Sequence, residues 1–140
     1  MFIYKEKKMS QRDAFLKEFR GEKIGSFTSI SLTEEVFQNE VLRPILKLQN
    51  DLVILTFVNY LKVNKINFNS FGTEKKGIEI ENIIRKDSKI RDLLKGLIIG
   101  LFTSTEYFEY SKNISNLNKR MLSMLIERVR SQVENFILSE

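Results

Sequence analysis

Ile45-Leu46-Lys47-Leu48-Gln49-Asn50-Asp51-Leu52-Val53-Ile54-Leu55-Thr56-Phe57-Val58-Asn59-Tyr60-Leu61-Lys62-Val63 is the stretch on which the fold turns. Its apolar residues recur at helical spacing: Ile45, Leu48, Leu52 and Leu55 fall on one face, Ile54, Val58 and Leu61 on another, with Phe57 between. A helix that is apolar on most sides is wrapped by its neighbours, so this segment reads as the central element of a bundle. Pro44 stands just before it. The proline ring disfavours helical geometry at Arg43, so either a longer helix kinks there or a new one starts with Pro44 in its first turn.

Working outward, the same spacing recurs on both sides. Toward the N-terminus, Ser31-Leu32-Thr33-Glu34 resembles a capping box ahead of Val36, Phe37, Val41 and Leu42. Ser10 to Asp13 resembles another, opening a helix at about 10–20 that Gly21 ends. The Ser/Gly-rich alternation at 24–31 permits a strand but has no visible partner, and is read as an extended linker. Toward the C-terminus, residues 64–72 read as a loop, and Thr73 is placed as the cap of a helix to about Lys86, with Ile80, Ile83 and Ile84 inward. Asp87-Ser88 punctuates the chain before the series Ile90, Leu93, Leu94, Leu97, Ile98 and Leu101, in which Gly96 and Gly100 would allow close helix contact. Thr103-Ser104-Thr105-Glu106 is a third capping box, and Ser115-Asn116 opens a last helix to about Leu138.

The expectation is therefore an all-α fold: an irregular helical bundle of five to seven helices around a central apolar helix at about 45–63. Residues 10–140 read as a single helical domain and residues 1–9 as a flexible N-terminal extension, with Met9 a plausible natural start. A chain of 140 residues, 42% hydrophobic and 29% charged, can bury a core without disulfides or metals.

Composition narrows the chemistry. There is no cysteine and no histidine, so disulfides, thiolate or imidazole metal sites, Ser-His-Asp triads and Cys-His dyads are excluded. No metal and no cofactor is expected, since the glycines match neither the dinucleotide nor the P-loop pattern. No apolar run approaches the roughly 18 residues of a membrane span, and no secretory h-region follows Met1; the chain reads as cytoplasmic, without a membrane partner. The formal charge of +5 is spread over the whole sequence rather than gathered into a block.

Two polar clusters are the candidates for binding. Gln49-Asn50-Asp51 interrupts the apolar segment, and Asp51 could serve there as an acid, base or cation partner; hydrogen bonding within the fold, or plain solvation, explains such groups more often. Asn118-Lys119-Arg120, with Arg128 and Arg130 farther along the same helix, could grip phosphates or an acidic partner, and Arg43 joins them as a candidate. Residues 85–91 form a comparable basic run at a helix junction, where a C-terminal dipole already favours cations. Phe102, Tyr107, Phe108 and Tyr110 are spaced for core packing more than for stacking on bases.

Phe37-Gln38-Asn39, the run from Leu42 to Leu52, the segment from Lys95 to Thr103 and Leu117-Asn118-Lys119-Arg120-Met121 together resemble a group of small bacterial helical proteins of unassigned activity, some of which carry the label "glyoxalase". The resemblance implies a shared helical fold and transfers no residue roles. Three readings follow. The first is a non-enzymatic protein acting by association, as a homo-oligomer or with a protein partner, since its eleven phenylalanines and long aliphatic stripes leave apolar surface to cover. The second is association with nucleic acid through dispersed basic helix faces. The third is a lyase of the glyoxalase label, which the absence of histidine ligands disfavours.

Overall fold

Ser10 starts the first helix by accepting a hydrogen bond from the Asp13 amide at 3.1 Å, and Gly21 ends it at φ 111°, a conformation open to glycine alone at little cost. The computed structural model describes residues 10–21 and 33–136. They form α1 (Gln11–Arg20), α2 (Glu34–Phe37), a π-helical turn (Gln38–Leu42), α3 (Arg43–Leu48), α4 (Asn50–Val63), α5 (Thr73–Lys86), α6 (Ser88–Ile99), α7 (Ser104–Ser111) and α8 (Ile114–Ser131). Short 3-10 turns at Phe68–Ser70 and Val133–Asn135 complete them, and there is no strand among the described residues. The all-α bundle is thus as the sequence implies. None of the described helices is long and apolar enough to cross a membrane. The 1–9 extension and the alternation at 24–31 lie outside the described residues, as does Ser31.

Several boundaries move from their expected places. The cap of α2 is Thr33, whose hydroxyl accepts from the Val36 amide at 3.2 Å. Thr73 is the first residue of α5, with Gly72 as its cap, and α8 opens on Asn113 rather than Ser115. It stops at Ser131, short of the expected Leu138. Pro44 is accommodated without a break. The Arg43 amide reaches back to the Gln38 carbonyl, one residue farther than an α-helical bond, and this wider turn makes room for the ring. Arg43 itself keeps helical angles, and α3 carries Pro44 in its first turn.

Residues 45–63 are not the wrapped axis that their periodicity suggests. The segment turns at Gln49, at φ −91° and ψ 5°. Beyond it, Val53, Phe57 and Leu61 enter the core, while Leu48, Leu52 and Leu55 remain 47%, 46% and 65% exposed. The central position belongs to α8, which contacts α4, α5, α6, α7 and the π-helical turn and buries Leu117, Met121, Leu125, Ile126 and Val129. The physical reason is simple. Helical periodicity reports which face is apolar, but only a neighbour packed against that face buries it.

Two further expectations change on packing grounds. A Cβ built at Gly96 meets nothing within 4 Å, so no helix presses on it among the described residues and the close-contact reading fails there. Of the four aromatics, Phe102 and Tyr110 are core residues, in edge contact at 5.5 Å between ring centroids, whereas Tyr107 and Phe108 face solvent.

A polar clasp fastens α1 to the α6–α7 junction. Arg12 donates to the Gly100 carbonyl at 2.7 Å, and Asp13 accepts from the Ser104 amide at 3.0 Å. Arg20 forks onto both carboxylate oxygens of Glu106 and donates to the Leu101 carbonyl. Glu106 in turn accepts from the Thr103 amide at 2.8 Å, while the Thr103 hydroxyl accepts from the Glu106 amide, which is the capping box expected at residues 103–106. The Arg20 and Glu106 side chains are only 2% and 1% exposed.

Candidate functional site

The basic residues of α8 meet α3 across an open groove of about 600 Å³. The π-helical turn and α3 contribute Gln38, Arg43 and Leu46 to it; α8 contributes Lys119, Arg120, Met124, Glu127 and Arg128. The i, i+4, i+8 spacing of Arg120, Met124 and Arg128 keeps one stripe of α8 turned toward the groove. Its cations therefore come from two segments far apart in sequence, which explains why the charge looked diluted along the chain.

The cations are held differently. Arg120 is fixed: its Nε donates to Glu34 at 3.1 Å and its Nη1 to Gln38 at 2.7 Å. Glu34 also accepts from the Asn113 and Asn116 amides at 2.9 and 3.0 Å. These bonds, Asn113 first and Arg120 next, hold the Glu34 carboxyl below its ordinary range. Arg128 donates to the Asn50 side-chain oxygen Oδ1 at 3.4 Å. Arg43 is exposed and makes one long contact to Asn39, at 3.4 Å, and Lys119 is exposed. Among the described residues no ion pair engages Arg43, Lys119 or Arg128.

Of the five candidates from the sequence, Arg43, Lys119 and Arg120 thus share one groove, and Asn118 and Asp51 do not. Asn118 accepts the Tyr110 hydroxyl hydrogen, which ties α7 to α8. Asp51 is exposed and, among the described residues, accepts only from its neighbour Asn50, at 3.2 Å. Its cluster serves the fold instead. Gln49 donates to the Leu97 carbonyl at 2.8 Å, and Asn50 and Gln132 exchange amide hydrogen bonds.

Sequence reasoning missed Gln38 and Glu34 as parts of this site. Glu34 was legible only as a first-turn acid suited to a helix dipole; nothing local announces its partner 86 residues away. In the second basic run, residues 85–91, the two arginines are paired with carboxylates. Arg85 pairs with Glu81 at 3.1 Å, and Arg91 lies 3.8 Å from Asp92. Nearby, the Tyr60 hydroxyl donates to Asp87 at 2.6 Å. No three potential metal ligands converge among the described residues.

The other unusual surface is apolar. Leu52 and Leu55, three residues apart, form an exposed ridge on α4, and Leu48 is exposed just across the Gln49 turn. Comparison of the chain with protein-family models, with curated proteins and with solved structures yields no match.

Proposed function

We propose that this chain works by association, pairing with a second copy of itself through the Leu48–Leu52–Leu55 ridge. The observation that carries the reading is the exposure of Leu48, Leu52 and Leu55, at 47%, 46% and 65%, on α4 and just before it. Fully burying a leucine is worth roughly 1.5–3 kcal/mol, so covering what these expose gives about 1 kcal/mol each, or about 6 kcal/mol over the six leucines of a pair. That exceeds the low end of the association cost, about 4 kcal/mol, by little. A micromolar dimer needs about 8 kcal/mol net, so contacts around the leucines must supply about 6 kcal/mol more.

The ridge suits a twofold partner. Laid antiparallel against its own copy, Leu52 of one chain meets Leu55 of the other, while Asp51 faces Thr56 and Leu48 faces Asn59, so no like charges are juxtaposed. The lyase reading has less behind it, because the sequence holds no histidine and Asp51 stands in solvent.

Sedimentation of the full chain at tens of micromolar (about the range where such dimers persist) tests the proposal. A dimer mass that falls to that of a monomer in Leu52→Glu, with the thermal melt of the monomer retained, supports it. A strict monomer at that concentration ends it.

A further inference from the structure

Beyond self-association, we infer that the groove between α3 and α8 binds a linear phosphate chain. Among the described residues four cations and one carboxylate, Glu127, line it, and Arg120 is paired with Glu34 at its edge. Arg120 is locked in place by Glu34 and Gln38, so its orientation costs nothing further when a ligand arrives. Arg43, Lys119 and Arg128 have no ion pair among the described residues, so their charge is available to a ligand.

The chemistry of these groups selects the ligand. Three of the four are arginines, whose planar forks match phosphate oxygens in pairs. Arg120 and Arg128 lie eight residues apart on α8, or about 12 Å along the axis. That span suits an anion with several negative groups in series rather than a single phosphate. Leu46 and Met124 are the apolar lining residues, and among the described residues no aromatic side chain lines the groove. Bases would find no ring to stack on, so the site reads charge and spacing rather than sequence.

Glu127 supplies a control of opposite sign. It is exposed, it lines the groove, and it repels an anion seated there. Its conversion to glutamine should strengthen binding, whereas loss of a cation should weaken it.

The test is fluorescence anisotropy with the full chain and four labelled probes: inorganic polyphosphate, a short oligothymidylate, a short oligoadenylate and polyglutamate. Three to four phosphate contacts predict affinity falling about 20- to 50-fold between about 50 and 200 mM salt. The double variant Arg43→Gln/Arg128→Gln should lose about tenfold in affinity at low salt, and Glu127→Gln should gain a few-fold. Lys86→Gln/Lys89→Gln, which removes the same charge from the α5–α6 junction, should change little. All these side chains are at least partly exposed, and unchanged circular-dichroism melts will show that folding is intact. Binding of polyphosphate alone assigns an inorganic chain as the source; equal binding of oligothymidylate and oligoadenylate assigns a nucleic-acid backbone. Absence of binding to both polyphosphate and the oligonucleotides at low salt overturns the inference. So does an equal loss in the Lys86/Lys89 variant, which would mean diffuse charge, or equally tight binding of polyglutamate, which would mean that phosphate is not what the groove selects.

Discussion

Replacing Glu106 by glutamine removes one charge from the interior and almost nothing else. The glutamine carbonyl can still accept from the Thr103 amide, which lies 2.8 Å from Glu106 Oε1, so the start of α7 stays capped. What changes is the environment of Arg20. Its guanidinium, 2% exposed, loses the carboxylate that its two terminal nitrogens share and keeps the Leu101 carbonyl at 2.8 Å. Its Nε already lacks a partner among the described residues. Breaking a buried pair from one side costs about 3–5 kcal/mol, chiefly because the surviving charge is stranded. The retained carbonyl bond puts this case near the lower end, at about 3 kcal/mol, and about 3 °C per kcal/mol makes the fall in Tm about 10 °C. Urea denaturation should show a lower midpoint at unchanged slope. Hydrogen exchange should quicken first in α1, because Arg20 is one of the few side chains that fasten it. The double variant Arg20→Met/Glu106→Gln removes the stranded charge as well and should recover part of the loss. A loss below about 1 kcal/mol in the single variant, or no recovery in the double, would refute the idea that this pair clasps the fold.

Two further outcomes follow from local chemistry. Burial, and then the hydrogen bond to the Asp87 carboxylate, pushes the Tyr60 hydroxyl up from 10.0 to about 12. The neutral form is the one the fold favours, so this contribution is complete below pH 10 and is lost as pH rises toward about 12; burial raises Tyr110 as well, so an ultraviolet tyrosine titration should show late ionisation that Tyr60→Phe reduces by one residue. Gly96 sits inside α6 with open space where a side chain would go, so Gly96→Ala should stabilise the protein by about 0.5–1 kcal/mol. A destabilisation in the same denaturation assay would mean that another part of the chain packs against that position.

Local signals carried far in this sequence, and stopped where the chain had to meet itself. Ser10 and Thr103 cap the helices that their spacing announced, because a cap is decided within three residues. Pro44 was legible as a junction for the same reason, although the π-helical turn that absorbs it was not. Arg20 and Glu106 are 86 residues apart, and each looks like an ordinary surface charge in its own helix. Arg43 and Lys119 are comparably separated, and only the packing of α8 against α3 makes them neighbours. The apolar stripes show the limit most clearly. Leu48, Leu52 and Leu55 repeat as regularly as Leu117, Met121 and Leu125, yet the first set faces water and the second fills the core. Hydrophobic spacing is a property of one helix, whereas burial is a property of two.

The same distinction bears on how the two proposed surfaces relate. Leu46 lines the groove and Leu48 begins the ridge; two residues apart on α3, they point to nearly opposite sides of the helix. Occupying one surface therefore does not require vacating the other, and neither needs the core to move. If α4 pairs with its copy, the dimer carries two grooves, each able to engage the same phosphate chain. The second engagement is then intramolecular and can raise apparent affinity by about 10²-fold or more without any new contact, provided the chain is long enough to span both. Leu52→Glu should then weaken binding of a long polyphosphate while leaving a short one unaffected, although residue 52 touches no ligand. Equal affinities of that variant and the parent chain for long polyphosphate, measured at a concentration where the parent is dimeric, would mean that the two surfaces act independently.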